Sequence, residues 1–341
     1  MPELPRFADL PLRNGHPSAW DVWPTPDYFG SLNLQTPERV ATAAKLVTRG
    51  AVFALNWEME LPSPPLFGRQ PFRHEIRGPE GALWADDVLH DWNTQSSSQW
   101  DGFRHVRNHD SGFYGGLPGY EHGVHHWARR GIAGRAVVAD VGRWRASIGR
   151  PLIYDAPDPI DGTEVIATLA AQDVEIQEGD VLLLRTGWIG WYESLTLEQR
   201  TAFAGQARPA TPGLRPGAEM AEFLWDLHIA AVAADNPMVE VMSPGSLLPP
   251  EQRAAIRNDP SRMHEVFTHT WFLPMLGLPL GEMWNLDHGA SVFFNLVDDA
   301  EVTTASRPHS LHLTHKQLSR KLRIVRQHSQ PQRDCDVSKE D

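Results

Sequence analysis

The chain has 341 residues, of which 41% are hydrophobic and 22% are charged, and its formal net charge at pH 7 is −12. These proportions are typical of globular proteins and exclude a mainly disordered, collagen-like or coiled-coil chain. The acidic balance argues against binding of nucleic acid, because neutralising its phosphates requires clustered cations. The length predicts one large domain or two smaller ones.

Membrane and thiol chemistry are also disfavoured. The N-terminus lacks a basic start followed by an apolar run, and no stretch of 18 consecutive apolar residues occurs. We therefore expect a cytoplasmic protein that does not bind membranes. The single cysteine, Cys335, lies among the last seven residues, which excludes an intramolecular disulfide, a cysteine zinc site and a buried thiol nucleophile. Any metal must be bound through nitrogen and oxygen atoms.

The predicted elements begin after an N-terminal arm, residues 1–35, which is rich in Pro, Gly and Trp and has no helical period. The Thr-Pro-Glu sequence at 36–38 then predicts the start of a helix, because Thr caps helices and Pro suits their first position. Alternation over residues 51–60 predicts a strand. The following residues, up to about Asn93, predict a long irregular stretch, and such stretches are often functional.

The central part of the chain alternates between helical and strand patterns. This alternation predicts an α/β protein with one large domain, residues 36–299. The basic tail, residues 300–341, is poor in apolar residues and is expected to be disordered. Strands are predicted at 136–141, 181–185 and 229–234, and helices at 125–128, 163–173, 216–227 and 263–276.

The most informative stretch is residues 93–105, a polar segment that two large aromatic side chains interrupt. Gln95, Gln99, Asp101 and His105 recur in it at offsets 0, 4, 6 and 10. A carboxylate and an imidazole on a Gly/Ser-rich loop suit a metal site or an acid/base site. They also suit local hydrogen bonds to the backbone, and the residues alone leave both interpretations open.

This stretch resembles the signature of the cyclase-like metal-dependent hydrolase family, which contains bacterial kynurenine formamidase and isatin hydrolase. The family motif is His-x-Gly-Thr-His-x-Asp-x-x-x-His, with the same four offsets. Asp101 and His105 match it, whereas Gln95 and Gln99 stand where the first two histidines would be. The resemblance covers roughly residues 28–288 and implies the swivelling β/β/α fold of that family.

The resemblance also implies two distal ligands, a histidine and a glutamate, at His269 and Glu282. Together with Asp101 and Gln99, these residues are expected to bind one divalent metal ion, Mn²⁺ or Zn²⁺. A second ion is not expected, because an amide is a poorer ligand than an imidazole. The alternatives are that His269 packs in the core and that Glu282 pairs with an arginine.

The activity that the resemblance implies is hydrolysis of an amide or lactam-like C–N bond in a small cyclic or aryl substrate, by metal-activated water. His105 is the expected general acid and base, because imidazole titrates near neutral pH. Aromatic and polar side chains near the motif and at a strand end are expected to bind the substrate. They are Trp100, Phe103, Tyr114, Asp235 and Asn236.

Two other functions remain open at this point. One is a non-catalytic small-molecule binding protein with a degenerate metal site, and the other is a cyclase or dehydratase that uses the metal as a Lewis acid. Metal content distinguishes the binding protein from the two kinds of enzyme. Incorporation of water into the product distinguishes the hydrolase from the cyclase or dehydratase. The resemblance implies a homodimer or homotetramer, for which the many tryptophans provide interface side chains.

Overall fold

Apolar runs and helix caps define most elements of the computed structural model, which describes residues 4–287. Within that range the strands are β1 Leu12–Arg13, β2 His16–Pro17, β3 Arg73–Arg77, β4 Asp86–His90, β5 Gln99–Asp101, β6 Ala136–Asp140, β7 Pro159–Ile160, β8 Val181–Arg185, β9 Gly213–Leu214, β10 Ala231–Ala234 and β11 Leu280–Glu282. The helices are α1 Pro37–Ala44, α2 His125–Arg130, α3 Val141–Ser147, α4 Gly162–Ala171, α5 Trp188–Ser194, α6 Leu197–Ala204, α7 Ala218–Asp226, α8 Pro250–Asn258 and α9 His269–Phe272. The predicted tail, 300–341, lies outside the described residues.

A five-stranded sheet organises the protein, in the order β5-β11-β10-β8-β6. Strands β6, β8, β10 and β11 are parallel, and β5 pairs with β11 in the antiparallel direction. The side chains of β10 are all buried, as are the first four of β8, which explains their continuous apolar sequences. The predicted α/β class is confirmed. No helix among residues 4–287 is long and apolar enough to cross a membrane.

The N-terminal segment contributes to the main hydrophobic core. Phe7, Trp20 and Trp23 are buried there together with side chains of the central strands. The indole of Trp20 donates a hydrogen bond to the carbonyl of Pro274 at 2.5 Å. Burial of a large aromatic side chain contributes about 2 kcal/mol or more, so these contacts hold the segment against the sheet.

Two predictions for residues 51–93 are wrong. Residues 51–58 form no strand. They contact the rest of the protein through isolated hydrogen bonds, such as that from the Trp57 amide to the Ser98 hydroxyl at 2.7 Å. The stretch predicted to be irregular contains an antiparallel hairpin, β3 and β4. Its strands are charged and mostly exposed, so they lack the apolar alternation by which strands are predicted. Side chains interact across the two strands, for example Glu75 with His90 at 2.8 Å.

The helix predicted at 263–276 is also wrong. A 3-10 turn, Pro260–Glu265, precedes the short helix α9, which begins at His269. The His269 amide donates to the carboxylate of Glu240 at 3.1 Å instead of to a preceding helical turn. This buried tertiary contact is absent from any local pattern, and it fixes the position of the imidazole.

Candidate metal centre

Pairing of β5 with β11 brings two distant parts of the sequence together. Gln99 lies opposite Glu282, and Asp101 lies opposite Leu280. Because side chains alternate along a strand, Gln99, Asp101 and Glu282 point to the same face of the sheet. Asp101 is fully buried and Glu282 is 5% exposed. Two carboxylates therefore share an enclosed site.

His269 completes a cluster with these carboxylates. Its Nε2 atom lies 3.5 Å from Oδ2 of Asp101 and 3.1 Å from Oε1 of Glu282. One ligand atom from each of the three residues lies within 4.8 Å of the others. Two carboxylate oxygens and one imidazole nitrogen at this spacing form a donor set that suits Mn²⁺ or Zn²⁺.

Glu240 fixes the orientation of the imidazole. Both of its oxygens lie 2.8 Å from Nδ1 of His269, and the glutamate is fully buried. A hydrogen bond from Nδ1 to Glu240 leaves Nε2 free to face the other two carboxylates. Histidines that bind metals commonly have this arrangement, in which a carboxylate orients the ring and increases its basicity.

Unpaired oxygen atoms in the cluster also fit a cation. Neither carboxylate oxygen of Asp101 has a hydrogen-bond partner within the described part of the chain, and the side-chain oxygen of Gln99 has none either. The Gln99 amide nitrogen donates to Oε2 of Glu282 at 2.9 Å. A buried carboxylate without donors is costly, and a bound divalent ion would compensate for the lost hydration. The residues present therefore fit the metal that the resemblance implies.

The acidic groups change the proton affinity of the cluster. Burial and the negative charge of Asp101 raise the pKa of Glu282 to about 7. Burial lowers the pKa of His269, but the charge of Glu240 and the nearby carboxylates of Asp101 and Glu282 outweigh it and raise this pKa well above its usual value. Without a metal ion, protons on His269 and Glu282 offset part of the negative charge of the cluster. Metal binding would displace these protons.

His105 lies at the edge of the cluster. Its Nε2 is 3.9 Å from Oδ1 of Asp101, its ring centre is 6.2 Å from that of His269, and 30% of its side chain is exposed. Burial lowers its pKa below that of a free imidazole, although the charge of Asp101 opposes this. At pH 7 the side chain is therefore mainly neutral and able to accept a proton.

Arg69 is a site residue that the sequence did not reveal. Burial lowers its pKa, while the charges of Glu282 and Asp101 raise it, which places its guanidinium within electrostatic range of the cluster. It donates to the backbone carbonyl of Gln95 and lies over the ring of Phe67, 4.8 Å from the ring centre. The side-chain oxygen of Gln95 accepts a hydrogen bond from the Thr94 hydroxyl at 2.9 Å, and within the described residues no hydrogen bond joins it to the cluster. An isolated arginine in an irregular segment gives no sequence signal.

The predicted aromatic substrate contacts lie elsewhere. Trp100 points to the opposite face of the sheet from Asp101, and its ring centre is 4.7 Å from that of Trp284. Phe103 and Tyr114 are in the core, with 2% and 0% exposure. Alternation in β5 explains the position of Trp100. Among the described residues no ring contact joins these three aromatics to His105 or His269, and their role in substrate binding stays a prediction.

Asp235 and Asn236 are likewise held in internal contacts. Asp235 accepts hydrogen bonds from the amide and hydroxyl of Thr186, at 2.8 and 2.7 Å, and from the Gly187 amide at 2.6 Å. Burial raises its pKa to about 6. Asn236 donates to the carbonyl of Pro212 at 2.6 Å. Neither side chain contacts Asp101, His269 or Glu282 through a hydrogen bond, so their substrate role stays a prediction.

Comparisons with known proteins support the fold. The sequence profile of the family described as "Putative cyclase" matches residues 22–241. A crystal structure described as a novel cyclase superposes with a TM-score of 0.66 at 24% identity, and the match covers 82% of this chain and 88% of that chain. Isatin hydrolase A from Labrenzia aggregata, bound to benzyl benzoate, gives 0.48 at 16% identity with 73% and 87% coverage. The Ralstonia solanacearum enzyme of that name gives 0.46 at 18%, with 74% and 87%. No curated protein matches the sequence.

Proposed function

Because this chain belongs to the putative cyclase family, we propose that it is a metal-dependent hydrolase that cleaves an amide or lactam-like C–N bond in a small cyclic or aryl substrate. The observation that carries the proposal is the buried cluster of Asp101, His269 and Glu282. These residues would hold one Mn²⁺ or Zn²⁺ ion, and the unpaired oxygen of Gln99 offers a further ligand. With an amide at position 99, the cluster supports a single ion.

Asp101, His269 and Glu282 would hold a divalent ion that, when bound, would lower the pKa of a water molecule and polarise a carbonyl group. Nε2 of His105 accepts the proton of the attacking water and returns it to the leaving nitrogen. In this reaction a C–O bond forms and the C–N bond breaks, with no oxidant or reductant. Arg69 supplies positive charge near the carbonyl oxygen, where negative charge develops in the transition state.

Elemental analysis of protein purified without added metal or chelator tests the metal site. We expect about one equivalent of Mn or Zn in the wild type. The nearly isosteric variants Asp101→Asn and Glu282→Gln remove the ligand charge and are expected to lose the ion. Glu198→Gln is the control, because this glutamate is exposed at the start of α6. Absence of metal in the wild type after incubation with Mn²⁺ and Zn²⁺ would contradict the proposal and favour the non-catalytic binding protein.

Hydrolysis in H₂¹⁸O distinguishes the hydrolase from a Lewis-acid cyclase or dehydratase. The metal-loaded protein is screened against cyclic amides and aryl formamides, and the product is analysed by mass spectrometry. Hydrolysis places one ¹⁸O atom in the new carboxylate. A product formed without incorporation of label would favour the cyclase or dehydratase.

We also propose that the protein assembles as a homodimer or homotetramer. Large apolar side chains on and near the hairpin are exposed, including Ile76 at 71% and Trp84 at 60%. Apolar groups grouped in this way are typical of interfaces. Sedimentation of the wild type and of Trp84→Glu tests this surface. A monomeric wild type would contradict the proposal, and an unchanged assembly of the variant would exclude the hairpin as the interface.

A further inference from the structure

A cavity of about 760 Å³ lies between α8, the turn Pro260–Glu265 and the Phe67 region. Its size is within the usual range for small-molecule sites, roughly 300–1,000 Å³. Most of its lining side chains are apolar, with Met238 and Phe267 among them. The cavity can therefore enclose the apolar part of a small molecule.

Three contacts connect this cavity with the candidate metal centre. The ring of Phe267 stacks on the imidazole of His269, with ring centres 4.9 Å apart and planes 13° from parallel. Met238 precedes Val239, whose amide donates to Oε1 of Glu282 at 3.2 Å. Phe67 also lines the cavity, and the guanidinium of Arg69 lies over its ring. The wall of the cavity therefore adjoins the cluster through Phe267 and Val239.

The cavity is positively charged, in contrast to the chain as a whole. Arg208, Arg253 and Arg257 line it, and no Asp or Glu occurs among its described lining residues, although the net charge of the chain is −12. None of the three arginines forms an ion pair with a carboxylate in the part of the chain that the structure describes. Arg253 and Arg257 are four residues apart on α8, so they lie on the same face of the helix.

We propose that the cavity binds the apolar body of the substrate and that Arg253 and Arg257 bind a carboxylate on the same molecule. This inference rests on the proposed function and narrows its substrate class to amides that carry both an apolar group and a carboxylate. Guanidinium groups pair with carboxylates in a bidentate geometry, and two of them on one helix face can bind a single anion. Arg208 contributes further positive charge from another segment of the wall.

Calorimetric titration with two matched probes tests this inference without requiring turnover. 4-Phenylbutyrate carries the apolar group and the carboxylate, and 4-phenylbutanamide replaces only the charged group. We expect the anion to bind about 10-fold more tightly than the amide. In the double variant Arg253→Gln/Arg257→Gln the two probes should bind equally. Arg129→Gln should keep the preference, because this arginine is exposed on α2 and does not line the cavity.

Equal binding of the two probes to the wild type would overturn the inference, as would an unchanged preference in the double variant. Binding of neither probe would overturn it too. These outcomes are separate from those of the proposed function. If the protein lacks metal but binds the anion more tightly than the amide, the hydrolase proposal is wrong and the anion site stands. If the protein hydrolyses amides but binds both probes equally, only the anion site is wrong.

Discussion

The central sheet carries two groups of charged side chains, and they are paired in different ways. At the ends of β6 and β8, Arg185 pairs with Asp140 at 2.7 Å and with Asp287 at 2.5 Å. At the β5–β11 edge, three buried carboxylates share one imidazole. In the first group, the arginine group, the guanidinium pairs directly with both carboxylates, so one net negative charge remains, and Asp287 is partly exposed. The second, the imidazole group, has more negative charge than its own cation can balance.

This difference separates a structural role from a binding role. Burial lowers the pKa of Arg185, but the charges of Asp140 and Asp287 stabilise the charged guanidinium and raise this pKa overall. Asp101 has no hydrogen-bond donor within the described residues. Charges that are satisfied by the chain stabilise the fold, while unsatisfied buried charges reduce stability and are retained where a ligand compensates for them.

Removal of the internal cation should cause the largest loss of stability. Arg185→Met leaves Asp140 and Asp287 without their partner, and breaking a buried pair costs about 3 kcal/mol or more. The free energy of unfolding is measured by urea denaturation. The double variant Arg185→Met/Asp140→Asn should recover part of the loss, and metal content should not change. A loss below about 1 kcal/mol would show that solvent already balances this group.

Glu240→Gln should weaken the imidazole group less severely. The amide cannot orient and polarise His269 as a carboxylate does, so the affinity for Mn²⁺ or Zn²⁺ is expected to fall about 10- to 100-fold. Competition with a fluorescent chelator measures the change. Asp180→Asn is a control matched for burial, because Asp180 pairs with Arg135 away from the cluster. An unchanged affinity would exclude Glu240 as the group that orients His269.

Asp101→Asn should affect stability with opposite signs in the two metal states. Without metal, removal of an uncompensated buried charge is expected to stabilise the fold by about 1 kcal/mol. With metal, the wild type should be the more stable protein, because only it binds the ion tightly. Asp140→Asn should destabilise the protein in both states, since Asp140 pairs with Arg185 and caps α3. Destabilisation of metal-free protein by Asp101→Asn would show that its charge is already balanced.

The smallest expected effect is the pH dependence of His105. Burial lowers its pKa from 6.5, and the neutral form must act as the base. The activity of the wild type should therefore fall as pH decreases and reach half of its maximum below pH 6.5. The residual activity of His105→Gln should not show this fall. The measurement is kcat/KM against pH. A midpoint above 6.5 would mean that the charge of Asp101 outweighs burial.

The sequence predicts elements well where local signals and burial agree. The strand at 181–185 is observed with the predicted bounds, and the Thr36 hydroxyl accepts the Arg39 amide as the cap of α1. Prediction fails where tertiary contacts determine the backbone. Strand β5 has only three residues and is paired with β11, and α9 begins at His269, whose amide donates to Glu240.

The same distinction applies to the candidate site. Asp101, His269 and Glu282 were found because a family resemblance relates positions that no local pattern connects, and their metal role stays a prediction. The sequence did not reveal the roles of Glu240 and Arg69, because their importance depends on three-dimensional neighbours. The sequence did not show that Trp100 points away from Asp101, because the side-chain alternation of the three-residue strand β5 cannot be read from it.

The position of β11 in the sheet also determines when the centre can be completed during protein synthesis. Strand β5 is at the sheet edge and pairs only with β11 among the described strands. Because β11 is the last of these strands in the chain, Asp101 remains without its neighbours until residues 280–282 leave the ribosome. The nascent chain cannot assemble the three ligands earlier. The ion can therefore bind all three ligands only after the last of the described strands has been made.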